Sequence, residues 1–238
     1  MSITLLTKYC SERARTRDAI RIGGGHLGQL QNSLSNLLGS VGVVSQKTIA
    51  FPRIIEIRES GRETEIANIY QSLGGVLDRF ELNLRSWDME FNGAAVELDE
   101  HLHFNRYRLK TLLSPAYSEL PGFPLTEYKD YCERYEDKCL GAGSYGGKWS
   151  NPSTVKQFGA PGPHKDLSRQ GAPRWRQRAF YDFVKDLAPQ LLGIRLVRIA
   201  IWDTIVEEGK TRTILDVLKS PSSQSAANLA ALIGHRDV

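Results

Sequence analysis

The chain has no long apolar run. Nowhere in its 238 residues do apolar side chains approach the roughly 20 in succession that a membrane-spanning helix needs. Cysteine is scarce, with three in all. An odd number argues against a disulfide framework and fits a reducing cytosol. Residues 1–20 are polar and charged, without the apolar stretch of a signal peptide. The triplet Gly23, Gly24 and Gly25 follows no strand and lacks the GxxxxGKS/T pattern, so it is no phosphate loop and reads as a linker. No internal repeat is visible. What remains is a globular, cytoplasmic chain long enough for one large domain or two small ones. Its 41% hydrophobic and 24% charged residues are ordinary. A net charge of +4 and a pI near 8.9 permit nucleic-acid binding without requiring it.

What is there centres on RSWDMEFNGAAVELDEHLHF, residues 85–104. Two runs of β-forming residues flank Asn92-Gly93, the strongest short-range signal for a hairpin. With those two at the turn, Phe91 faces Ala94, Glu90 faces Ala95, Met89 faces Val96, Asp88 faces Glu97 and Trp87 faces Leu98. Alternation then gives one apolar face, made of Trp87, Met89, Phe91, Ala94, Val96 and Leu98. The other carries Ser86, Asp88, Glu90, Ala95, Glu97 and Asp99, four carboxylates without a cation. Like charges opposed across a ladder destabilise it. Either a cation completes the cluster or one carboxyl retains its proton. Oxygen ligands crowded in this way suit a hard divalent ion such as Mg²⁺, with Mn²⁺ as a substitute. The competing reading is an exposed acidic face covered by Arg or Lys from elsewhere.

Upstream, residues 1–50 read as a helical accessory segment: a helix over 2–21 with Arg13, Arg15, Arg17 and Arg21, then a second over His26–Leu38. Thr48–Ile57 suggests a strand. Ser60-Gly-Arg-Glu63 matches a capping box opening a helix whose apolar stripe is Ile66, Ile69, Tyr70 and Leu73.

A glutamate-bearing helix, a strand with Asp88 and a strand reading Val96-Glu97-Leu98-Asp99 with His103 beyond it resemble the restriction-endonuclease-like PD-(D/E)XK superfamily, closest to its very-short-patch-repair branch. The resemblance covers mainly residues 60–104 and more weakly 174–203, and Glu100 stands where that branch usually has glycine. It implies a mixed α/β fold with a central sheet flanked by helices, spanning 51–238 with an insertion at about 105–173. It implies Asp88 and Glu97 as metal ligands, Asp99 in the place of the superfamily's lysine, and His103 as the branch's histidine; Glu63 sits on the upstream helix. The chemistry would be Mg²⁺-assisted hydrolysis of DNA phosphodiester bonds, with Asp99 positioning a water and His103 acting as base or acid. His101 is a reserve candidate. The alternative is an inactive nuclease-fold protein that binds nucleic acid or serves as a scaffold.

Arg106, Arg108 and Lys110 in NRYRLK suit a phosphate backbone, but could instead neutralise the hairpin's carboxylates. Thr126–Leu140 has helical period, which stacks Cys132 and Cys139 on one face as core residues. Residues 141–173 are rich in Gly, Pro and Ser yet hold Tyr145, Trp149 and Phe158. With Lys148, Lys156, His164, Lys165 and Arg169 they form either a nucleic-acid clamp or a lobe whose aromatics pack down. A helix over Arg174–Leu187 with an Arg178–Asp182 pair, a buried strand over Ile194–Trp202, and helices near Thr213–Leu218 and Ala226–Ile233 complete the chain.

Overall fold

The computed structural model describes residues 28–45, 49–85 and 87–236. Ser86, the glycine triplet and the N-terminal arginine-bearing segment lie outside them. In chain order the elements are α1 (Gln29–Gly39), β1 (Val44–Ser45), α2 (Ile54–Glu59), α3 (Glu63–Ser72), β2 (Met89–Phe91), β3 (Ala94–Asp99), α4 (Arg106–Thr111), α5 (Leu125–Arg134), α6 (Glu136–Gly143), α7 (Pro152–Phe158), α8 (Pro173–Asp186), α9 (Ala188–Leu192), β4 (Leu196–Ala200), β5 (Thr204–Glu207), β6 (Lys210–Thr213), α10 (Ile214–Lys219) and α11 (Ser225–Arg236).

Asn92 (φ 48°) and Gly93 (φ 82°) both take left-handed backbone, the turn that matches the twist of paired strands. Three of the expected pairs form, Phe91 with Ala94, Glu90 with Ala95 and Met89 with Val96; β2 begins at Met89, so the expected Asp88–Glu97 and Trp87–Leu98 pairs are not part of the ladder. β1 adds antiparallel to β2, and β4 adds parallel to β3, giving a mixed four-stranded sheet of order β1-β2-β3-β4. All six residues of β3 are buried, so both of its faces are covered. Val96 and Leu98 join the main core with Leu34 and Leu38 of α1. Glu97 and Asp99 point to the other face, beneath α8. β5 and β6 form a separate hairpin through Glu208-Gly209, again with both residues at positive φ.

Several expectations change. Residues 54–59 are helix, not strand, and the sheet's edge comes from Val44–Ser45 instead. Ser60 closes α2, its hydroxyl donating to the Ile57 carbonyl at 2.8 Å, so the capping box is not formed. Arg62 precedes α3, and Glu63 turns back to Arg58 at 3.3 Å. Residues 28–45 are not an accessory, because Leu34 and Leu38 are fully buried in the core. Tyr135 interrupts the expected 126–140 helix into α5 and α6, while Cys132 and Cys139 are both buried as expected. Trp87 leaves the Met89–Phe91 face because the chain bends before β2; it packs against Ala95 and Ala188 and donates its indole N–H to the carbonyls of Ile49 and Ala50.

The 141–173 region packs down through Trp149 and Phe158, whereas Tyr145 stays exposed. Trp149 meets Trp175 of α8 edge-on at 5.3 Å, and Trp175 donates to the Lys148 carbonyl at 3.0 Å. These aromatic anchors fix Lys148 and Asn151 as the wall of a cleft over α8.

Candidate active site

α8 supplies the longest wall of the site. Pro173 sits in its first turn, where a missing N–H costs nothing. Trp175, Phe180, Phe183 and Val184 are buried. The opposite stripe, Arg174, Arg178 and Asp182 at i,i+4 spacing with Tyr181 and Lys185, lines a cleft of 760 Å³. The floor is Asp88, Glu97, Glu100 and His103, so the hairpin's acidic residues and the α8 stripe face one space.

Asp88 immediately precedes β2. Its Oδ2 accepts the Leu98 N–H at 2.9 Å, serving an amide that strand pairing no longer serves. Its Oδ1 accepts from the Gln31 side chain at 2.8 Å. Burial, and then the Glu97 charge, push the Asp88 carboxyl up to about 7, although the Leu98 amide, Lys185 and His103 pull the other way. Glu97 accepts from Lys185 at 2.7 Å, and that ammonium also lies 5.0 Å from the centre of the Trp87 ring.

Behind this floor lies a closed ionic network. Arg198, directly across the parallel ladder from Glu97, donates to Asp99 Oδ1 at 2.7 Å, to Asp186 Oδ1 at 2.7 Å and to the Asp182 carbonyl at 3.2 Å. Tyr128 donates to Asp99 Oδ2 at 2.8 Å. Arg108 and Tyr117 both donate to Asp186 Oδ2, at 2.7 and 2.6 Å. Burial opposes the Arg198 charge, but Asp186, Asp99 and Asp182 outweigh it and hold the guanidinium well above its ordinary range.

His103 bridges network and cleft. Its Nδ1 lies 2.8 Å from Asp182 Oδ2 and 3.1 Å from Asp99 Oδ1. Burial would raise Asp182, yet His103 and Arg198 win and hold that carboxyl well below its usual range. Asp99, His103 and Asp182 offer ligand atoms within 4.8 Å of one another, a spacing that could hold a metal ion. Asp99 already spends both oxygens on Arg198 and Tyr128, so the same geometry also serves to orient an imidazole.

The structure thus brings Asp88, Glu97 and His103 to one cleft and seals Asp99 behind it, 1% exposed, where it cannot meet a substrate. Glu63 is solvent-exposed beside Arg58 and does not line the cleft. His101 lines the cleft and packs edge-on against Trp202 at 5.2 Å. Of the basic residues expected to contact phosphates, only Lys148 lines the cleft. Arg108 is buried on Asp186 and is unavailable. Arg106 is bidentate to Glu136, Lys110 caps the Ser72 carbonyl and Lys156 pairs with Glu81 at 2.5 Å. The expected Arg178–Asp182 pair gives way to Arg178 on the Leu102 carbonyl at 3.3 Å, because His103 and Arg198 claim Asp182. Sequence reasoning missed Gln31, Lys185, Arg85, Arg174 and Arg178 as cleft residues. The i,i+4 run of polar residues along α8 was the available signal.

Against known families, residues 68–220 match the model of DUF7255, described as a family of unknown function, and the chain belongs to that family. No curated protein and no solved structure matches the chain. Among the described residues no helix is long and apolar enough to cross a membrane.

Proposed function

We propose that this member of the DUF7255 family is a divalent-metal-dependent endonuclease of restriction-endonuclease-like fold that hydrolyses DNA phosphodiester bonds in the cleft over Asp88 and Glu97. The observation that carries this reading is the pair itself. Asp88, just before β2, and Glu97, on β3, meet at the floor of a cleft whose other wall is cationic, and burial, then the Glu97 charge, holds Asp88 at about 7. A raised carboxyl beside a second carboxylate is a donor set short of positive charge, and oxygen donors of this kind fit Mg²⁺ or Mn²⁺. Asp88 and Glu97 would hold the ion, which supplies Lewis-acid polarisation of the phosphate and a more acidic attacking water.

The chain's own groups do the rest. Lys185 orients Glu97 through a 2.7 Å hydrogen bond and brings an ammonium to the developing phosphate charge. His103, which lines the cleft with Nδ1 held between Asp182 and Asp99, would deliver a proton to the leaving oxygen. Asp99 acts through His103 rather than on water.

A second reading is an inactive nucleic-acid-binding protein of the same fold. It is favoured by the partners each floor carboxylate already has, Lys185 on Glu97 and Gln31 on Asp88. Supercoiled plasmid and single-stranded circular DNA incubated in Mn²⁺ decide between them. Nicking by the wild type that is lost in both Asp88→Asn and Glu97→Gln supports the nuclease. Equal nicking by all three points to a contaminant and overturns it. Retained DNA binding without nicking selects the second reading.

A further inference from the structure

Arginines in this molecule are mostly paired: Arg53, Arg58, Arg62, Arg106, Arg108, Arg134, Arg198, Arg212 and Arg236 each lie within ion-pair distance of a carboxylate. Six described arginines have no such pair; Arg79, Arg169 and Arg176 lie outside the cleft, whereas Arg85, Arg174 and Arg178 gather in it. All three line the cleft, and among the described residues no carboxylate lies within 4.0 Å of any of them. Arg174 spends a donor on the Gln177 side-chain carbonyl and Arg178 on the Leu102 backbone carbonyl, both neutral acceptors.

Nor are they far apart. Arg174 and Arg178 are i,i+4 neighbours on α8, the spacing at which like charges disfavour a helix. Arg174 is shifted down, first by burial, then by Arg178 and also by Arg85, so each of the other two adds to the repulsion at its guanidinium. The positive end of the α8 dipole falls on the same turn. Of the arginines that lack an ion pair among the described residues, these three share one cleft wall, and that concentration leaves room for an anion.

The acidic floor gives that wall its meaning. Arg178 and Asp182 are four residues apart, about 6 Å along the helix axis, and Lys185 lies three residues further along the stripe. Neighbouring phosphates of an extended strand are spaced on this same scale. A strand entering the cleft would therefore set one phosphate at the carboxylate floor and the next at the arginines. The guanidinium fork suits phosphate oxygens, and an extended strand is the form of nucleic acid that such a confined cleft admits.

We propose that Arg85, Arg174 and Arg178 form a second phosphate subsite, which takes the phosphodiester adjacent to the scissile one in a nucleic-acid strand and sets which bond reaches Asp88 and Glu97. The subsite's role in cleavage rests on the nuclease reading; its binding of a phosphorylated strand does not.

The test is fluorescence anisotropy of a labelled short single-stranded oligonucleotide with the metal-free full-length protein in EDTA, across a salt series. The wild type binds with a linear log–log salt dependence. The Arg174→Gln, Arg178→Gln double variant loses roughly tenfold or more in affinity, and its salt slope falls by about 0.7 for each arginine removed. Its melting temperature stays level or rises, because the substitution relieves a like-charge pair. Unchanged affinity and slope in a double variant that melts like the wild type overturn the subsite. Inorganic pyrophosphate and a mononucleotide serve as competitors. Displacement only at far higher concentration than the oligonucleotide supports a strand as ligand, and tighter binding of the mononucleotide overturns it. In Mn²⁺, Arg178→Gln raises KM with little change in kcat. If the wild type cleaves nothing while the arginine-dependent binding persists, the nuclease reading fails and the subsite stands.

Discussion

The two ionic regions beneath α8 lie side by side and are built on opposite principles. Around Arg198, three aspartates, two arginines and two tyrosines satisfy one another almost completely within a buried space. In the adjoining cleft, Asp88 is protonated more readily than a carboxyl should be, and among the described residues Arg85, Arg174 and Arg178 have no carboxylate within ion-pair distance. The difference separates architecture from chemistry. Where charge is neutralised in place, the network fixes β4 against β3 and α8; where it is left unbalanced, the fold bears a cost that a bound ion or anion would remove.

That contrast can be broken at four points, taken by size. Arg198→Met strips the network of its centre and strands buried carboxylates, so it should destabilise the protein by about 3–5 kcal/mol in urea titration. A loss under about 1 kcal/mol would mean that the network is not what holds the sheet. Glu97→Gln, by contrast, should fold normally and lower Mn²⁺-dependent nicking by roughly 100-fold or more. Near-native nicking by the folded variant would remove Glu97 from the site.

Asp88 gives a pH-dependent prediction. The unfolded chain releases this proton near its ordinary 3.8, whereas the folded protein holds it until about 7. A raised carboxyl therefore costs stability progressively as pH rises between those values, and the cost is constant above them. Asp88→Asn should be more stable than the wild type by up to about 4 kcal/mol at pH 8 in EDTA, with no gain below pH 4. A gap that does not widen with pH would sink the strained-carboxyl account. Least of all, Arg106→Ala loses only an exposed ion pair with Glu136 and should shift stability by about 0.5 kcal/mol or less.

Local chemistry was readable from residues. Asn92-Gly93 specified the turn and the register because positive φ at two successive positions is costly for most side chains. The α8 and β4 segments were legible from their period and their apolar run. What depended on distant partners was not. Trp87 changes face because of a bend that alternation cannot foresee. Residues 54–59 hold isoleucines that suit a strand, yet they are helical in the tertiary setting. The short β5–β6 hairpin, with its Glu208-Gly209 turn, went unassigned. Asp88, Glu97 and His103 were accessible as candidates since they sit within one supersecondary unit. Lys185, Arg174, Arg178 and Gln31 reach the same cleft from remote segments, and Arg108, exposed to inspection as part of a basic run, turns inward to Asp186.

The parallel union of β3 with β4 carries a kinetic implication. Ala95 and Leu196 become neighbours only after the intervening chain, roughly 100 residues, has been drawn into a closed loop, an entropic toll near 4 kcal/mol. The β2–β3 hairpin has no such barrier and can form early. The cleft, which needs residues from both sides of that loop, is consequently a late event in folding, and a burst of native-like strand signal should precede any capacity to bind a ligand.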